Sequence, residues 1–87
     1  MILNKSLTNP ILVEDKYGSK RWYNERHQLH RENDLPAVER SDGSKSWWIN
    51  GKLHRENGLP AREYDGHKVW YLDGVCCRFD EWIDYFT

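Results

Sequence analysis

The stretch Asp42-Gly43-Ser44-Lys45-Ser46-Trp47-Trp48-Ile49-Asn50-Gly51-Lys52-Leu53-His54-Arg55-Glu56-Asn57-Gly58-Leu59-Pro60-Ala61 decides how this chain is read. It holds two turn dipeptides, Asp42-Gly43 and Asn50-Gly51, with a short β-prone run between them. Gly takes positive φ without steric cost and Asp and Asn tolerate it, so such dipeptides mark hairpin turns. The segment from Leu53 to Pro60 is too polar and too rich in turn residues for a strand interior. Asn57-Gly58 suits a left-handed turn, and Pro60 can open the next strand or lie at its edge.

Working outward, the stretch recurs. An earlier copy runs Gly18-Ser19-Lys20-Arg21-Trp22-Tyr23, then Leu29-His30-Arg31-Glu32-Asn33-Asp34-Leu35-Pro36-Ala37-Val38-Glu39. A later, degrading copy runs Gly66-His67-Lys68-Val69-Trp70-Tyr71 and reaches Arg78, and a half unit, Ile11-Leu12-Val13-Glu14, precedes the first copy. The period is 25 residues from Gly18 to Gly43 and 23 from Gly43 to Gly66, and Trp22, Trp47 and Trp70 keep the same two intervals. Self-similarity at a fixed period is the signature of a repeat architecture. Each unit reads as a β-hairpin, as in Ala61–Tyr64 and Lys68–Leu72 around Asp65-Gly66. The expected fold is therefore all-β: a meander of tandem hairpins with about six or seven short strands.

Strand alternation assigns faces. Trp22, Trp47 and Trp70, with Ile49 and Leu72, fall on one face, which is expected to be the core. Arg21, Tyr23, Ser46, Trp48, Val69 and Tyr71 fall on the other. The tail breaks the pattern: Asp80 can cap a short helix in which Phe79, Trp82, Ile83 and Phe86 share one face, and a repeat stack needs its last unit covered. The chain thus reads as one domain, 1–87, with an arm at 1–10, tandem hairpins at 11–78 and a capping helix at 79–87.

Composition narrows the function. The 87 residues carry 13 Lys+Arg against 14 Asp+Glu, a net charge of −1, which argues against a general binder of nucleic acid or anionic membrane. No apolar run approaches a membrane span, and Met1–Thr8 lacks the apolar stretch of a signal peptide. Cys76 and Cys77 are adjacent, and neighbouring cysteines rarely bridge each other, so a reducing compartment, the cytoplasm, is expected.

These units resemble MORN-type repeats, and in particular a MORN-like variant of large tailed phages and some bacterial proteins. The residues that carry the resemblance are Asp42-Gly43, Trp47-Trp48, Asn50-Gly51, Leu53-His54-Arg55-Glu56, Gly58 and Pro60-Ala61, and it spans about Ile11 to Phe86. The first copy departs from it at Asn24-Glu25-Arg26-His27, where one residue is added, and the third at Cys76-Cys77, where Leu-His would stand. The resemblance implies a scaffold, a phage origin and no enzymatic reaction.

Several residues suggest chemistry. His30, Arg31 and Glu32, with His54, Arg55 and Glu56, recur in each unit, and together with Trp22, Trp47 and Trp70 they are assigned to folding and stacking, since a site usually appears once. Such side chains satisfy loop backbone groups and one another by charge-assisted hydrogen bonds. His30, His54 and Cys77 occupy matched positions, but successive units lie on the order of 10 Å apart, too far for ligands about 2.0–2.3 Å from one zinc ion. No metal, cofactor or catalytic residue is assigned, and the chain is not expected to be an enzyme. Arg21, Tyr23, Trp48, Arg62 and Tyr71 are the candidate partner-binding residues, because Tyr, Trp and Arg dominate interface hot spots. Arg26 and His27 join them because the insertion breaks the periodic rule.

The expected function is a small non-enzymatic module that docks on a host protein, such as a defence component, and blocks it. One alternative is a nucleotide- or nucleic-acid-binding module, for example a sponge for a signalling nucleotide. Another is a structural or antitoxin-like partner in a permanent complex. The edge strand Ile11–Glu14 is a candidate for self-pairing into a homodimer.

Overall fold

A computed structural model of the protein describes residues 10–77. The expected helix at 79–87 and almost all of the expected arm at 1–10 lie outside these residues. The described chain is all-β, with strands β1 (Ile11–Glu14), β2 (Lys20–Tyr23), β3 (Val38–Glu39), β4 (Lys45–Ser46), β5 (Trp48–Ile49), β6 (Lys52–Leu53), β7 (Arg62–Tyr64), β8 (His67–Leu72) and β9 (Val75–Cys77). Seven of them form an antiparallel sheet in the order β1-β2-β3-β4-β7-β8-β9, and β5 pairs with β6 alone. That is nine strands where six or seven were expected: β6 and β9 lie at the start of segments read as loop.

The register lines up equivalent residues of successive units. Val13, Arg21, Val38, Ser46, Arg62 and Val69 form one cross-strand row. Their neighbours form a second row on the opposite face, Glu14, Lys20, Glu39, Lys45, Glu63 and Lys68. Charge alternates at every step of this second row, the arrangement in which directly opposite residues attract rather than repel. A slip by one residue would bring the charged row to the other face and remove the alternation, so the ladder fixes the register.

Each repeated Trp is the point where a strand changes partner. The Trp22 and Trp47 amides donate to the carbonyls of Ala37 and Ala61 in the following segment, at 2.8 Å in both cases. Their own carbonyls accept from the His30 and His54 amides of the same unit, both at 3.0 Å. The first half of the strand therefore belongs to the large sheet, and the second half folds back on its own return segment. In β8 this happens within one continuous strand, whereas in the middle unit the break falls at Trp47, between β4 and β5. Ala37 and Ala61 are fully buried and use both backbone groups, their amides donating to Ser46 and Val69 carbonyls. The recurring Ala follows from this, because a larger side chain would have to fit where three strands meet.

The two intervals of the repeat have a structural cause. The hairpin turn at Asp65-Gly66 is a two-residue loop with φ of 50° and 79°, the left-handed geometry that suits strand twist. At Arg40–Ser44, three residues bridge the strands instead, with the Gly43 amide donating to the Arg40 carbonyl and only Gly43 left-handed. Likewise Asn50-Gly51 is a two-residue loop, while Asn24–Gln28 holds three residues with His27 at φ 62°. The 25-residue interval thus contains two longer turns and the 23-residue interval two shorter ones.

The core is thinner than the sequence suggests. Of the three repeated indoles only Trp47, at 6% exposure, is buried; Trp22 and Trp70 are half-buried. Val38, at 4% exposure, is buried on the face opposite the Trp column. The expected Trp core face therefore holds only part of the burial: Trp47 lies on it, but Val38 is buried on the other. The middle unit is covered by units on both sides, and the sheet shares its burial between its two faces.

Candidate functional site

On the face that carries the charge ladder, the repeated arginines and histidines are committed to the fold. The Arg31 guanidinium lies 3.6 Å from the Trp22 ring centroid, and that of Arg55 lies 3.7 Å from the Trp47 centroid. Such stacking attracts the cation to the ring face and covers the indole at the same time. Arg31 donates to the Pro36 carbonyl at 3.1 Å and to Glu39 at 3.3 Å. Arg55 donates to the Pro60 carbonyl at 3.1 Å, lies 3.6 Å from Glu63, and reaches both carboxylate oxygens of Asp34 in the preceding unit at 2.9 and 3.3 Å. The Trp47 and Trp70 indole N–H groups donate to the carbonyls of Asp34 and Gly58.

The histidines join unit to unit. His30 Nδ1 accepts from the Asn50 amide and His54 Nδ1 from the Asp73 amide, both at 2.9 Å. A ring whose Nδ1 accepts carries its proton on Nε2, and each Nε2 faces a glutamate, Glu32 at 3.2 Å and Glu56 at 3.1 Å. A groove of about 310 Å³ opens between the two loops, but its Arg55 is paired with Asp34 and its His54 with Glu56. Among the described residues, no three His, Cys, Asp or Glu side chains gather at one point.

The opposite face differs. A groove of about 240 Å³ is lined by Arg21, Arg40, Arg62, Trp48 and Tyr64 around a floor containing Val38, with Leu29 and Leu53 beside Trp48, and none of its lining residues is acidic. Cross-strand pairing sets Tyr23 opposite Leu29, Trp48 opposite Leu53 and Tyr71 opposite Cys76. Tyr23, Trp48 and Tyr71 are half-buried, neither covered nor freely exposed. The Trp48 indole N–H donates to Ser46 Oγ at 2.8 Å, which leaves the rest of the ring as apolar surface. The Arg62 guanidinium lies 4.6 Å from the Tyr64 ring and has no carboxylate partner among the described residues.

Two turn aspartates border this groove. Asp15 accepts from the amides of Tyr17 and Ser19, and these hydrogen bonds, aided by Arg21 at 3.5 Å, hold its carboxyl below the ordinary range. Asp42 accepts from the Ser44 hydroxyl and amide, which lower its pKa in the same way, with a smaller contribution from Arg40. Both carboxylates are anchored to their own turns.

The structure brings Arg21, Trp48 and Arg62 to one groove and leaves the other candidates apart. Arg26 and His27 are exposed in the Asn24–Gln28 turn, at the end of β2 away from the Asp15–Ser19 turn. Tyr23 and Tyr71 extend the same face in the flanking units. Sequence reading missed Arg40 and Tyr64, although each lies two residues beyond a residue of the row, Val38 and Arg62, on the same face by alternation. Comparison with known proteins finds no matching family model, no matching curated protein and no matching solved structure.

Proposed function

We propose that this chain is a small non-enzymatic binding module that docks on another protein through the Arg21–Val38–Ser46–Arg62 face and acts by blocking it. The observation that carries the reading is the groove of this face, where Arg21, Arg40 and Arg62, the last with no carboxylate partner among the described residues, surround the half-buried Trp48 and the buried Val38. Arg, Trp and Tyr are the residues that interfaces concentrate at their centres, and a rigid sheet presents them with little ordering cost. In the reading the MORN-like resemblance suggests, the module is phage-encoded, works in the host cytoplasm, and its target is a host defence component.

The test compares wild-type protein with Arg62→Glu and Trp48→Ala in affinity capture from host lysate, with circular dichroism as a fold control. A discrete protein retained by wild type and lost by both variants supports the reading. Capture that is indifferent to both substitutions overturns it. The pairing of Trp48 with three arginines also favours a second reading, a nucleotide-binding module. Thermal stabilisation by more than a few degrees on adding nucleotide, lost in Arg62→Glu, would establish that reading instead.

A further inference from the structure

The docking reading leaves the partner's chemistry open, and the groove narrows it. We infer that the groove takes an extended acidic segment of the partner, with carboxylates at positions i and i+4; this inference rests on the docking reading. Arg21 and Arg62 occupy one cross-strand row with Val38 and Ser46 between them. Three strand spacings separate them, about 14 Å at about 4.8 Å each. An extended segment lying across the strands rises about 3.4 Å per residue, so four residues span that distance and side chains i and i+4 point the same way. Arg40, just past the end of β3, adds a third cation at the rim of the same groove.

The site is built for carboxylates rather than for a base-stacking strand. A guanidinium engages a carboxylate through two parallel hydrogen bonds, and the Arg21 partner Asp15 is held mainly by its own turn amides. Between the two cations the floor is Val38 and Ser46, and the Ser46 hydroxyl oxygen already accepts from the Trp48 indole, which suits a small side chain such as Val or Thr between the acids. A net charge of −1 provides no long-range attraction for a polyanion.

The probes are three fluorescent ligands titrated into the full chain. One is an extended Val/Thr-rich peptide of about ten residues with glutamates at i and i+4, one is the same peptide with adjacent glutamates, and one is an oligo-dT strand. The expected result is saturable binding of the first peptide, weakened about tenfold in the second, and about tenfold by Arg21→Ala or Arg62→Ala. Lys68→Ala, which removes a cation from the opposite face, should leave binding unchanged. Equal binding of both peptides, or equal loss with Lys68→Ala, overturns the inference. Failure of both peptides while protein capture remains sensitive to Arg62 overturns the spacing and leaves the docking reading standing. Tighter binding of oligo-dT, displaceable by nucleotide, overturns both.

Discussion

Arg55 and Arg62 meet aromatic rings on opposite faces of the same sheet, and their surroundings could hardly differ more. Arg55 is stacked on Trp47 and fully engaged by Asp34, Glu63 and the Pro60 carbonyl. Arg62 leans on Tyr64 and has no acid among the described residues. The same two ingredients, a guanidinium and a ring, therefore serve closure on one face and remain available on the other. What separates them is the placement of carboxylates: the second cross-strand row puts Glu39 and Glu63 under Arg31 and Arg55, while the first row contains none.

This contrast can be broken most directly at the indoles. Trp47→Ala should cost about 3–5 kcal/mol, enough to unfold much of a small domain, as measured by urea denaturation. Trp48→Ala should cost clearly less; the opposite order would reverse the roles assigned to the two faces. Arg55→Ala should cost about 2–3 kcal/mol, because it removes charged hydrogen bonds and uncovers Trp47. Asp34→Gly should cost only about 1 kcal/mol, because glycine keeps the left-handed turn seen at Gly58 while losing the carboxylate. Arg62→Ala should change stability by no more than about 0.5 kcal/mol while clearly weakening partner capture.

The smallest effect concerns the turns beside the open groove. Asp15 and Asp42 have lowered carboxyl pKa values in the fold, so their contribution is present above the ordinary carboxylate range and is lost as pH falls through the folded values. Melting temperature should therefore decline in acid, and Asp42→Asn should flatten part of that decline. A steeper acid limb in the variant would contradict the assignment.

Much of this was legible in the sequence, and the boundary of legibility is physical. The repeat, the hairpins and the parity of Trp47 against Trp48 follow from turn dipeptides and a period of two, which are local properties. The alternating Glu/Lys row is not local: it exists only once Glu14, Lys20 and Glu39 are set side by side by a register that no single segment encodes. The same holds for the histidines, whose Nδ1 atoms serve the turn of the following unit. The expectation of a Trp-lined core was only partly met, because an arginine laid over an indole covers it as a second sheet would, and composition does not distinguish the two.

The two turn classes have a consequence for how this chain can vary. Lengthening a unit by one residue at either turn converts a two-residue loop into a three-residue loop and leaves every row in place, as the first and second units already demonstrate. Insertions and deletions at these two points are therefore absorbed within the loop that receives them. Variation in length is confined to the rims of the molecule, so the loops can diversify or accept grafted segments without disturbing the lattice of strands between them.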